Sequence, residues 1–334
     1  MAVRLKCRAA CVAFAALLGA LPVAAMAAED ACHSLTPAMV GGPMLPKSRE
    51  TIVLRWLGTA NYELGYKGNV YLLDTYYDRG PRDHPIGITV DQVKKATAIF
   101  IGHGHFDHMS DVVPVARQTR APVVAAPITI ETAGKLGLPA AQAVTVKGGE
   151  TLHYPGVTVD TALAHHSELE AEILKATGAL FKLEDKPLSP EDEAARKAIR
   201  DRGTFSPDVI TKGTIAYAFT FGTGFKLVFL DSAGPITDGD RDLAKKLGRV
   251  DVAIVAYQGH PTAERQVAAT LPLIELFRPR IYIPAHHDQS FGAFLDLGVE
   301  PLFMAVRDAL PDARTIQPLY RRPICIDISK KART

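Results

Sequence analysis

The sequence predicts one α/β domain of layered sheets flanked by helices. Short apolar runs alternate with helical patterns along the chain, no repeat or long linker divides it, and several of the apolar runs end directly on His or Asp. With 334 residues, 47% of them apolar, the chain has the composition of a packed globular protein.

The elements follow from local pattern. Residues 51–57, 62–66 and 69–74 are rich in Val, Leu, Tyr and Ile and are punctuated by Gly58, Gly65 and Gly68, which reads as strands joined by tight turns. Residues 98–101 form another short apolar run that delivers the chain to His103. A short helix over 112–118, a buried strand over 122–126, a helix over 128–136 and a strand over 156–164 follow, the last ending at His165-His166. Leu169, Ile173, Thr177 and Leu180 then sit at helical spacing. Ser189-Pro190-Glu191-Asp192 is a helix start, with Ser as cap, Pro at the first helical position and acids in the first turn. Residues 167–213 therefore read as a helical insertion on the core. Strands resume at 214–221, turn at Gly222-Thr223-Gly224 into 225–230, and end on Asp231. A buried strand over 251–257, a helix over 263–277 and a strand over 280–284 complete the pattern, with His286-His287 just beyond.

The N-terminus reads as a targeting segment. Arg4, Lys6 and Arg8 precede an apolar stretch over 11–25, and Ala25-Met26-Ala27 supplies small residues where a signal peptidase reads. The stretch is shorter than the about 20 apolar residues a bilayer span needs. The expectation is a signal peptide over 1–27, a mature chain over 28–334, no stable membrane anchor and a periplasmic or secreted location. Loss of those three basic residues turns the formal charge of +2 into −1, which leaves no electrostatic case for a nucleic-acid partner and favours a small-molecule substrate. The mature chain keeps Cys32 and Cys325, which in an oxidising compartment either staple the two ends together or remain free thiols.

The histidines carry the chemistry. His103, His105 and His108 fall within six residues, and His165-His166, Asp231 and His286-His287 each follow an apolar strand. In His-x-His-x-Asp-His a short loop can turn His103 and His105 toward one metal, while Asp107 and His108 face a second beside it. Neutral imidazole and carboxylate suit zinc and related transition metals. Two such ions about 3.5–4 Å apart can activate a water and clamp a substrate oxygen, and Asp231 is the candidate carboxylate to reach both. Asp74 ends its strand and is either an acceptor orienting a ligand histidine or a plain turn residue. Tyr257, Gln258 and His260 follow a buried strand, where Tyr257 either donates to a substrate oxyanion or simply packs. No nucleotide-binding Gly-rich loop and no Gly-x-Ser-x-Gly elbow is present.

His103-Gly-His105-Phe-Asp107-His108 resembles the signature of the metallo-β-lactamase superfamily, and the resemblance extends from about Ile52 to Phe291. Trp56-Leu57-Gly58 with Leu72-Leu73-Asp74 is similar to the opening strands of the branch that includes ascorbate-6-phosphate lactonase and the N-acyl-phosphatidylethanolamine phospholipase. Phe229-Leu230-Asp231-Ser232 and Ile283-Pro284-Ala285-His286 resemble that branch's later ligand motifs. The resemblance implies a four-layer αββα sandwich carrying the helical insertion as part of the wall or lid of the substrate site. It implies two divalent ions, zinc with Mn2+ or Fe2+ as alternatives. His103, His105 and one of His165 and His166 would hold the first ion, with His166 favoured because Ser167 follows it. Asp107, His108 and His286 would hold the second, Asp231 would bridge, and Asp107 would orient the attacking metal-bound hydroxide. The implied activity is hydrolysis of a lactone, phosphodiester or other ester-like bond. Iron-dependent redox chemistry and non-catalytic extracytoplasmic binding are the alternatives on the same fold. Diiron relatives carry Glu where Asp107 stands, and a binding protein would have lost ligands that are intact here. One departure is Thr59, where many members of the branch have His after Trp-x-Gly.

Overall fold

A computed structural model describes residues 50–81, 83–167, 188–257, 262–288 and 298–329. The expected signal segment, Cys32, the helical spacing from Leu169 to Leu180, Gln258 and His260 lie outside the described residues.

Two seven-stranded mixed sheets face each other. The first runs β14 (Pro323–Asp327), β1 (Thr51–Trp56), β2 (Tyr62–Tyr66), β3 (Asn69–Leu73), β4 (Ala98–Phe100), β5 (Val123–Ala125) and β6 (Ala143–Thr145). The second runs β13 (Arg314–Thr315), β12 (Ile281–Ala285), β11 (Val252–Ala256), β10 (Lys226–Leu230), β9 (Thr214–Phe221), β8 (Val157–Ala164) and β7 (Thr151–Tyr154). Their inner faces interdigitate through Tyr62, Tyr71, Phe100, Tyr217, Phe219 and Phe229. The first sheet's outer face is covered by helices α2 (Val112–Thr119) and α3 (Pro127–Lys135). The second's outer face is covered by α6 (Asp238–Leu247), α7 (Ala263–Phe277) and α8 (Glu300–Ala309). Helix, sheet, sheet, helix is the four-layer sandwich expected, and each layer exists because a sheet with two apolar faces must bury both.

Two buried tyrosines tie the sheets together near the ends of β4 and β12. Tyr217 on β9 donates to the carbonyls of Ile101 and Val124, at 2.9 and 3.0 Å. Tyr62 on β2 donates to the Pro284 carbonyl at 2.6 Å. A hydroxyl left unpaired in this core would cost about 1–3 kcal/mol, so these bonds fix how the sheets face each other as well as filling space.

Strand direction gathers the chemistry. β3 and β4 are parallel, and so are β10 and β12 through β11. β8 reaches the same direction by two antiparallel steps through β9. The carboxyl ends of β3, β4, β8, β10 and β12 therefore open on one edge of the sandwich, where binding sites of open α/β sheets form.

Within the insertion, α4 (Pro190–Arg200) starts as the sequence expects. Ser189 accepts the Asp192 N–H at 3.1 Å, with Pro190 first in the helix and Glu191, Asp192 and Glu193 in the first turn. A further short helix, α5 (Asp208–Lys212), follows. Several elements carry too little local pattern to be read in advance: β6, β7, β13, β14, α5, α6, α8 and the single turn α1 (Phe106–Met109). α6, Asp-Gly-Asp-Arg-Asp-Leu-Ala-Lys-Lys-Leu, is mostly charged and forms because Thr237 and Asp240 make a reciprocal capping box. Among the described residues no helix is long and apolar enough to cross a membrane. Cys325 on β14 is disulfide-bonded, and its expected partner, Cys32, lies outside the described residues.

Candidate metal centre

All seven sequence-derived candidates meet at that edge. Three overlapping groups have their ligand atoms within 4.8 Å of one another: His103, His105 and His166; His103, His108 and Asp231; and Asp107, His108 and His286. His166, not His165, joins the first group. His165 instead points Nδ1 at the His166 carbonyl, 2.8 Å away.

Each position has a local cause. β4 ends at Phe100, and Gly102 carries the chain over Asp231. A Cβ at Gly102 would lie 2.0 Å from the Asp231 carboxyl carbon, so only glycine lets the two strand ends approach. The turn α1 then presents Asp107 and His108, the His108 ring centroid 3.9 Å from that of His103. His286 leaves β12 in a left-handed conformation, φ +56°. His166 follows β8, its N–H bonded to the Ile210 carbonyl of α5 at 2.9 Å, and its neighbour Ser167 donates its N–H to Ser232 Oγ, beside Asp231, at 3.0 Å.

Hydrogen bonds aim the rings. His103 Nδ1 lies 2.7 Å from Asp231 Oδ2, and its Nε2 is 3.1 Å from His105 Nδ1. His108 Nδ1 lies 2.7 Å from Asp74 Oδ2, while Asp74 Oδ1 accepts the Gly102 N–H at 2.9 Å. Asp74 is thus the orienting acceptor rather than a plain turn residue. His166 Nδ1 faces the Ser167 carbonyl at 2.6 Å. In these three rings Nδ1 faces an oxygen, and Nε2 lies 3.1 Å from His105 Nδ1 in His103 and 3.7 Å from Asp107 Oδ2 in His108; a ligating histidine has its second ring nitrogen engaged in this way. His286 Nε2 lies 3.2 Å from Asp107 Oδ2.

Burial holds His103 well below its ordinary pKa and lowers His105 to about 4 and His166 to about 3, so these imidazoles are neutral at physiological pH. Burial also acts against a charge on His108, but Asp107, Asp74 and Asp231 overturn it and raise the ring to about 9. Asp107 feels burial upward and is nonetheless pulled far below the usual carboxylate range by His108 and His286. Burial, then the neighbouring Asp74, pushes Asp231 well up. Among the described residues three buried carboxylates, Asp74, Asp107 and Asp231, converge here, and Asp231 Oδ1 has no hydrogen-bond partner. Such a concentration of buried negative charge calls for cations, and the imidazole and carboxylate donors suit Zn2+ or a similar ion. The residues present fit a metal centre.

The insertion buttresses the first group. Thr204 donates its N–H to the Gly104 carbonyl at 2.7 Å, and a Cβ at Gly203 would lie 2.3 Å from the Phe106 nitrogen. Arg202 anchors this segment through Asp111 at 2.8 Å and Asp78 at 3.1 Å. Phe205, 54% exposed, stacks on His105 with ring centroids 5.4 Å apart. Sequence reasoning did not single out Arg202, Gly203 or Phe205, and no local pattern marks them. Tyr257, by contrast, does not reach the cluster: it packs in the outer core of the second sheet, its hydroxyl without a hydrogen-bond partner. His287 is buried and stacks on Trp56, centroids 4.4 Å apart.

Comparison with known proteins agrees with this fold. No family model matches the chain. It is 26% identical over 266 residues to a UPF0173 metal-dependent hydrolase of Cupriavidus necator, covering 78% of this chain and 83% of that one. Igni18, a metallo hydrolase from Ignicoccus hospitalis, superposes with a TM-score of 0.58 at 15% identity over 83% of this chain and 99% of its own. The metallo-β-lactamase fold protein YhfI from Bacillus subtilis gives a TM-score of 0.52 at 10% identity, over 83% of this chain and 100% of its own. Fold and relatives point the same way: the chain has the fold of these metallo-β-lactamase-fold structures, and its sequence is similar to that of a metal-dependent hydrolase.

Proposed function

We propose that this chain is a metal-dependent hydrolase of the metallo-β-lactamase superfamily that holds two divalent ions, Zn2+ in the first instance, and cleaves a lactone, a phosphodiester or another ester-like bond of a small molecule. The observation that carries the proposal is the overlap of the three donor groups: His103 and His108 each belong to two of them, with Asp231 between. A metal pair bound there lowers the pKa of a water and polarises the substrate oxygen. The chain's own residues do the rest. His103, His105 and His166 would hold one ion; Asp107, His108 and His286 the other; and Asp231 would span both. Asp107, kept ionised by His108 and His286, accepts a hydrogen bond from the attacking water and orients it. The backing of His105 and His166 by residues 202–210 keeps that side of the site fixed, and Phe205 offers an apolar wall to the substrate.

The experiment is to assay metal-loaded and chelated protein on lactone, phosphodiester and β-lactam panels. Turnover of an ester-like substrate that is lost on chelation supports the proposal; absence of metal-dependent turnover on every panel overturns it. Export of the mature chain is part of the same proposal, supported by the basic and apolar N-terminus and by the disulfide at Cys325. N-terminal sequencing of protein recovered from the periplasm or medium should begin at Ala28; recovery of the intact chain from the cytoplasm alone would contradict it.

A further inference from the structure

Among the histidines that converge on the proposed centre, His286 is held differently. His103, His108 and His166 each direct Nδ1 at an oxygen, whereas His286 Nδ1 is buried and has no hydrogen-bond partner among the described residues. Its ring is met at Nε2, 3.2 Å from Asp107 Oδ2, and among the described residues no bond to Nδ1 sets its direction from behind. Its backbone, in contrast, is tightly held. The His286 N–H donates to the Thr59 carbonyl at 2.7 Å, and the Thr59 N–H donates to Asp288 Oδ1 at 2.7 Å. Thr59 is thus gripped from both sides by the loop that carries His286, and both residues have left-handed backbones, φ +49° and +56°. For a side chain with a Cβ that conformation is disfavoured and persists only where its surroundings impose it.

Asp288 is itself fixed from the other end of the sequence. Its Oδ2 accepts Arg79 at 2.7 Å and the Tyr320 hydroxyl at 2.6 Å, and all of its contacts are buried or half-buried. Gly58 leaves the room: a Cβ there would lie 2.8 Å from the Arg79 guanidinium and 3.1 Å from Asp288 Oδ2. The Trp56 indole adds a second donor to the Thr59 carbonyl at 2.9 Å.

We infer that Asp288, held by Arg79 and Tyr320, is a positioning residue for the second metal: by clamping Thr59 it imposes the left-handed backbone that aims His286 at Asp107 and His108. The role filled by an Nδ1 acceptor in His103, His108 and His166 is here filled through the main chain. The inference deepens the two-metal reading and rests on His286 being a ligand. It also accounts for Thr59, whose main chain meets the loop that carries His286 while its hydroxyl accepts Arg79 Nη2 at 3.4 Å.

The test is a Co2+ titration of the metal-free protein, followed by the ligand-field spectrum and by calorimetry, so that the readout is metal uptake rather than turnover. Wild type should take up two equivalents, and His286→Ala should keep the first and lose the second. Asp288→Asn should weaken the second site about tenfold to a hundredfold, the range for loss of a residue that orients a ligand, and leave the first unchanged. Because Asp288→Asn removes a carboxylate that faces the buried Arg79, two further variants guard against misfolding. Arg79→Gln/Asp288→Asn removes both charges together, and Tyr320→Phe removes one hydrogen bond and no charge. The double variant should match Asp288→Asn, and Tyr320→Phe should fall between it and wild type. Unchanged second-site affinity in the folded double variant, alongside its loss in His286→Ala, overturns the inference while sparing the two-metal reading. Equal weakening of both sites also overturns it. If His286→Ala still takes up two equivalents, the assignment of His286 fails and the inference with it.

Discussion

Asp74 lies 2.7 Å from the Nδ1 of His108 through one carboxylate oxygen and accepts the Gly102 N–H through the other. One side chain at the end of β3 therefore orients a ring on α1 and fixes the start of the loop that carries His103 and His105. Burial raises the Asp74 carboxyl and His108 opposes that rise, so the two residues stabilise each other's charged forms.

Replacing Asp74 with Ala is expected to lower metal affinity about tenfold to a hundredfold, because His108 loses its acceptor and the loop its anchor. Calorimetric titration of the metal-free variant with Zn2+ checks this. An affinity equal to wild type would show that the Asp74–His108 contact has no part in metal binding.

Gly102 gives a sharper steric test. A methyl group there would lie 2.0 Å from the Asp231 carboxyl carbon, a distance that forces one strand end away from the other. Gly102→Ala is expected to bind fewer metal equivalents than wild type while keeping its far-ultraviolet circular dichroism. Gly134→Ala is the control: it lies inside α3 with nothing within 4 Å of the added carbon, and in a helix the exchange is worth up to about 1 kcal/mol in favour of Ala. Metal content by mass spectrometry distinguishes them, and a Gly102→Ala protein with full metal content would refute the close-approach argument.

Much of the site was legible because its signal is local. His103, His105, Asp107 and His108 sit on one loop, and the other three candidates announce themselves as polar residues that end apolar strands. Ser189 and Pro190 mark a helix start for the same reason, since capping chemistry is written in adjacent residues. Other features depend on tertiary contacts between distant positions. Arg79 and Asp288 are 209 residues apart and meet only when the segment after β3 packs against the end of β12. Strand β14 pairs with β1, Cys325 opposite Val53, yet its five residues have no alternation that distinguishes them from a loop. The absence of His at position 59 reads in the sequence as a lost contact, whereas the bonds that tie Thr59 to the loop of His286 run through its N–H and carbonyl, which every residue but proline carries.

A second buried ion pair, away from the site, predicts a pH dependence of stability. Burial raises the Glu63 carboxyl from 4.5 to about 7, even though Arg55 pulls it down from 2.6 Å away. A carboxyl raised on folding adds its full contribution below pH 4.5, and that contribution is lost as the pH climbs through about 7. The slope within the window is at most about 1.4 kcal/mol per pH unit. Urea unfolding of wild type and Glu63→Gln across that window is the measurement. The wild-type stability should fall relative to the variant as pH rises, since Gln does not titrate; parallel curves would contradict the assignment.

Asp107 is the residue asked to orient the attacking water, so its removal should separate chemistry from binding. In Asp107→Ala, kcat on an ester-like substrate is expected to fall by at least about a hundredfold, the lower range for a positioned proton acceptor, while the folded structure is kept. Retained kcat with weakened metal binding alone would reduce Asp107 to a ligand.

The most direct measurement is to titrate chelated, metal-free protein with Zn2+ and follow hydrolysis of an ester-like substrate and bound metal together. Activity should be absent at the start, rise with metal and reach its plateau as the second equivalent binds. Full turnover in the metal-free protein, or a plateau reached with no metal bound, would contradict a two-metal hydrolase built on His103, His105, Asp107, His108, His166, Asp231 and His286.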